Sequence, residues 1–84
     1  LRNGKEALEL ATRADELTGH QDPCVQLVLS EALAETGRFG DAVFMAQRVL
    51  QTAAAHGEQG LADSARNHLE SYRRGAAFRQ SRQP

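Results

Sequence analysis

DPCVQLVLSEALAETGRFGDAVFMAQRVLQTAAAHG, residues 22–57, decides the fold. It opens on Asp22-Pro23: a carboxylate able to accept from the first free N–H groups of a helix, then the residue best suited to the first helical position. The run continues to Thr36 without a breaker and meets the turn residues Gly37-Arg38. A second run begins around Gly40-Asp41, carries Ala42, Val43, Ala46, Val49 and Leu50 at helical spacing, and stops at His56-Gly57. Both runs are too long for strands. They are rich in residues that lose little conformational freedom on entering a helix. Two helices joined by a tight turn are predicted.

The same grammar extends in both directions. Upstream, Asn3 and Glu6 stand at capping-box spacing, and Ala7, Leu8, Ala11, Ala14 and Leu17 fall on one stripe. Glu9 and Arg13 form an i,i+4 pair on the other side, and Gly19 supplies a left-handed stop after Thr18. Downstream, a fourth run over about 58–74 carries Leu61, Ala62, Ala65, Leu69 and Tyr72. Arg73 and Arg74 complement its C-terminal dipole, and Gly75 follows. Residues 1–75 thus read as one helical domain, with 76–84 as a frayed tail.

Composition agrees. Alanine is the commonest residue, and 84 residues allow one small domain. The net charge is −1, and no run approaches the length of a membrane span. The single Cys24 can make no intrachain disulfide. Residues 1–41 hold eight acids against four bases, while 42–84 hold three against six. Helix-end compensation explains that asymmetry, and few aromatics are interleaved for stacking on bases, so no nucleic-acid partner is expected.

Displacing the chain by 35 residues against itself aligns Glu6 with Asp41, Ala7 with Ala42 and Leu8 with Val43. Ala11 then falls on Ala46, Arg13 on Arg48 and Ala14 on Val49. That period is the spacing of a helix–turn–helix solenoid. Leu29-Ser30, Leu33, Gly37-Arg38-Phe39, Ala42, Ala46 and Val49 together resemble a tetratricopeptide (TPR) repeat. Small Ser30, Ala42 and Ala46 would let two helices approach closely while Phe39 plugs the turn. Gln26, Leu33, Val49 and Ala54 depart from the family pattern.

The resemblance implies an all-α, TPR-like α-solenoid of four antiparallel helices. It would comprise the second helix of one repeat, one full repeat over about 23–56, and a capping helix over about 58–74. It also implies the C-terminal portion of a longer bacterial-type array, in which a concave face shows Cys24, Leu27, Glu31, Ala34 and Glu35 to a peptide. The expected function is a non-enzymatic protein–protein interaction scaffold with no cofactor. The alternative is a substrate-recruiting appendage of a larger enzyme such as a glycosyltransferase-like protein. A soluble chain is expected; the sequence does not fix its compartment, though it favours the cytoplasm.

Individual residues carry little chemistry by themselves. His20 lies in a turn, His56 at a helix end, and His68 has no acidic residue or second His at i±4, so no metal or catalytic role is expected. Cys24 reads as small apolar filler in the first turn of its helix. Glu31 and Glu35 make either a solvated acidic strip or one wall of a groove for a basic or polar peptide. With no preceding helix to cover it, the stripe of Ala7, Leu8, Ala11 and Ala14 is expected to pair with a second copy as a homodimer.

Overall fold

In the computed structural model the backbone is described for residues 3–82 and the side chains for residues 4–75. Four helices follow one another: α1 (Asn3–Leu17), α2 (Pro23–Glu35), α3 (Phe39–Ala55) and α4 (Gln59–Arg82). No strand occurs among the described residues. The chain is all-α.

One local device ends each of the first three helices. Gly19, Gly37 and Gly57 adopt left-handed φ values of 66°, 86° and 71°. The following residue then donates its N–H back over the last turn: His20 to the Asp15 carbonyl at 2.8 Å, Arg38 to Leu33 at 2.9 Å, and Glu58 to Ala53 at 2.8 Å. The glycines themselves donate to Glu16, Ala34 and Ala54. These are three successive Schellman caps, closing carbonyls that the helix ends would otherwise leave open. At the start of α2, the Asp22 carboxylate accepts from the N–H groups of Cys24 at 3.0 Å and Val25 at 3.4 Å. The Asn3 side chain of the expected capping box lies outside the described residues.

Short turns between packed helices force neighbours to run in opposite directions. Gly4, at the start of α1, lies beside Glu35 and Thr36 at the end of α2, and Phe39 at the start of α3 lies beside Gly75 of α4. Close packing joins α1 to α2, α2 to α3, α3 to α4 and α2 to α4. The body is elongated and thin, 43 × 24 × 15 Å. Among the described residues, α2 is the helix packed against all three others.

The core forms where the expected small residues meet. Ser30, Ala42, Ala46, Val49, Ala53 and Ala65 have no more than a trace of exposed surface. Leu29, Leu33, Leu69 and Tyr72 close around them. The 35-residue register carries into packing, since Ala11 of α1 and Ala46 of α3 are both buried.

Two expectations change. The fourth helix does not stop at Gly75 but continues to Arg82, so residues 76–82 are helical backbone rather than frayed tail. Ala76 and Ala77 favour helix, and Gly75 is absent from the positive-φ residues. The glycine serves close approach: a Cβ there would stand 2.8 Å from Phe39 Cε1. The expected Glu9–Arg13 ion pair is not formed. The exposed i,i+3 pairs are Arg38–Asp41 at 2.8 Å and Arg66–Asp63 at 2.9 Å.

Candidate functional site

Within α2 only Cys24, Val28, Glu31 and Glu35 are exposed. Their spacing of 4, 3 and 4 residues sets them on one line along the helix. Every other face of α2 is buried or half-buried, because α1, α3 and α4 surround it. The line is therefore what α2 offers to the outside. It carries a thiol, a valine 55% exposed, and two carboxylates. A shallow hollow of about 110 Å³ beside it is lined by Ala7, Val28, Glu31, Ala32 and Glu35.

Three residues of the expected concave face lie on this line: Cys24, Glu31 and Glu35. Cys24 is an exposed free thiol and not the packing filler its position suggested. Ala34 is half-buried beside the core. Leu27 departs most, being 9% exposed and packed with Val49 and Ala65. It cannot present its side chain to a peptide. Its neighbour Val28 takes that place, one residue out of phase, and α2 is apolar enough around its circumference that periodicity alone does not orient it.

A polar seam ties α2 to α4 under the line. His68 Nε2 lies 2.6 Å from Glu31 Oε2, and its Nδ1 lies 2.7 Å from the Ser64 carbonyl. The imidazole meets the Tyr72 ring edge-on with centroids 5.8 Å apart. Tyr72 in turn hydrogen-bonds Ser30 Oγ at 2.9 Å, and Ser30 Oγ donates to the Leu27 carbonyl at 2.6 Å. Burial pushes the Tyr72 phenol above its ordinary value of 10.0; the Ser30 hydrogen bond opposes this and the Glu31 charge adds to it. Glu31 is thus held in place, while Glu35 makes no hydrogen bond or ion pair among the described residues. The partner of His68 lies 37 residues away in sequence, so no local spacing could reveal it.

The residues expected to pair two copies are largely covered. Ala11 is buried in the core, Leu8 and Ala7 pack against it, and Ala14 is half-buried. It is α2 that covers this stripe. The exposed leucines of α1 are Leu10 and Leu17, at 70% and 81%, so Leu17 does not belong to the covered stripe on which the pattern placed it.

A second cluster surrounds the α1–α2 turn. His20 has φ of 60°, a left-handed backbone without glycine, costing about 1–2 kcal/mol. Its Nδ1 lies 2.7 Å from Asp15 Oδ2, and its carbonyl accepts from Gln26 Nε2 at 2.7 Å. Asp15 and Gln26 are both about 95% buried, and Asp15 Oδ1 has no hydrogen-bond partner among the described residues. An unpaired buried acceptor costs roughly 1–3 kcal/mol. Strain and burial are thus concentrated on one imidazole whose side chain is itself 63% exposed.

Among the described residues, no three His, Cys, Asp or Glu side chains converge to hold a metal ion. No helix there is long and apolar enough to cross a membrane. Comparison with protein-family models, curated proteins and solved structures returns no match.

Proposed function

We propose that this chain is a non-enzymatic interaction scaffold that holds a basic peptide segment along the exposed line of α2. The observation that carries the reading is that line itself. Cys24, Val28, Glu31 and Glu35 are the exposed residues of a helix otherwise enclosed by its three neighbours. A helix fixed on three sides presents side chains without having to order itself on binding, which lowers the entropic cost of association. Glu31 and Glu35 stand at i,i+4, where like charges repel by about 0.2–0.5 kcal/mol, and a lysine or arginine placed between them removes that repulsion. Val28 and the adjoining hollow supply an apolar anchor beside the charges.

In this reading the four helices are one TPR-like repeat flanked by the second helix of a preceding one and a closing helix. The 35-residue register and the three repeated Schellman caps support it. Function then follows from presenting a surface, with α2 in the position that lines a groove in such arrays.

The test begins with a displayed random-peptide library selected on the immobilised chain. Enriched peptides should place Lys or Arg next to an apolar residue. Against the best of them, Glu31→Gln with Glu35→Gln should weaken binding about tenfold and flatten its salt dependence. Peptides without basic residues, or affinity indifferent to the double substitution, would overturn the assignment.

A further inference from the structure

The cluster at the α1–α2 turn continues into a pocket of about 270 Å³ lined by His20, Gln21, Gln26, Arg48, Thr52 and His56. All six side chains are polar, and none is acidic. Of the acids nearest in sequence, Glu16 and Glu58 are exposed and do not line the pocket, and the other two are engaged. Asp15 is bonded to His20, and Asp22 caps the N-terminus of α2. Arg48, by contrast, is exposed and makes no ion pair or hydrogen bond among the described residues. A guanidinium keeps its charge at every relevant pH and offers five donors in a planar fork suited to oxyanions.

We propose that this pocket binds a small oxyanion of the phosphate type, with Arg48 as its fixed charge and His20 and His56 as flanking imidazoles. Four features of the turn favour this over an empty polar dent. The strained backbone and the buried Asp15 and Gln26 hold His20 at the mouth of the pocket, and strain of this kind gathers where a side chain must be aimed. Several carbonyls that would repel an anion are occupied: those of Asp15, Glu16, Ala53 and Ala54 in the two Schellman caps of α1 and α3, and that of His20 by Gln26 Nε2. Thr52 and Gln21 add neutral donors. Arg48 lies in the second half of α3 and His56 is its C-cap, eight residues on, so one element carries both to the lining that His20 shares. The site is separate from the peptide line of α2, of which it shares no residue.

The probes are inorganic phosphate and O-phosphoserine, titrated at mildly acidic pH and constant ionic strength into the isotope-labelled chain. Backbone amide shifts report the site. The expected result is a saturable shift confined to His20, Gln21, Gln26, Arg48, Thr52 and His56. Arg48→Gln should weaken the binding about tenfold or more, and His56→Gln by a smaller factor. Arg66→Gln, an exposed arginine outside the pocket, should leave it unchanged, and circular dichroism should show each variant folded. Equal binding of both probes means that the oxyanion can be carried on a side chain, while phosphate alone means a free ion. Both support the site. Shifts that never saturate, that spread over all exposed cations, or that survive Arg48→Gln would overturn it.

Discussion

Replacing Ala46 by leucine adds three carbons where no surface is exposed. Ala46 lies in the core cluster with Ala42, Leu29, Leu33, Leu69 and Tyr72, and the buried Ser30 contributes a small side chain nearby. The cluster members are themselves buried, so the added volume pushes α3 from its neighbours. Overpacking of this kind destabilises by about 1–3 kcal/mol. For a domain of this size each kcal/mol moves the melting temperature by roughly 4–8 °C, so a fall of at least about 4 °C is expected. Thermal unfolding followed by circular dichroism measures it, with a urea titration as an independent check. Ala54→Leu is the matched control. It lies on the same helix but is exposed, and should stay within about 0.5 kcal/mol of the parent. Equal melting temperatures for the parent and Ala46→Leu would mean that the phase of α3, and with it the packing of the whole chain, is wrong.

Two further outcomes follow from single side chains. Because burial raises the Tyr72 phenol above 10.0, the contribution of this group to stability is complete below about pH 10 and is lost as the pH climbs through its folded value. Tyr72 is the chain's one tyrosine and there is no tryptophan, so tyrosinate absorbance follows it directly; titration at or below the ordinary value would refute its burial. Gly60→Ala, with open space around the new Cβ, should stabilise by about 0.5–1 kcal/mol. Gly75→Ala should gain less or destabilise because its Cβ meets Phe39, and equal gains at the two positions in chemical denaturation would contradict that contact.

What the sequence revealed and what it withheld divide along a physical line. Asp22-Pro23 and the three turn glycines act within a few residues, and each does in the structure what its local chemistry requires. The small residues of α3 were legible too, because Ala42, Ala46 and Val49 recur at helical spacing. Glu31–His68 and Ser30–Tyr72 were not, since each joins residues far apart in the chain that only packing brings together. Gly75 read as a stop because its reason for being glycine is the ring of Phe39, on another helix. Leu27 and Val28 were interchangeable by pattern on a helix apolar almost all round, and the approach of α3 and α4 decides which one is buried. The α1 stripe failed differently. Pattern alone leaves its alanines without a covering helix, but α2 buries Ala11 and leaves Leu10 and Leu17 outside.

The exposed line of α2 as a binding surface is tested most directly by mapping a selected basic peptide onto the isotope-labelled chain by amide chemical shifts. The largest changes should fall at Cys24, Val28, Glu31 and Glu35, with smaller ones at Ala7 and His68 beside the line, and Val28→Asp should abolish them. Changes centred on Leu10 and Leu17 of α1 or on Phe44 of α3, with the α2 line silent, would contradict it.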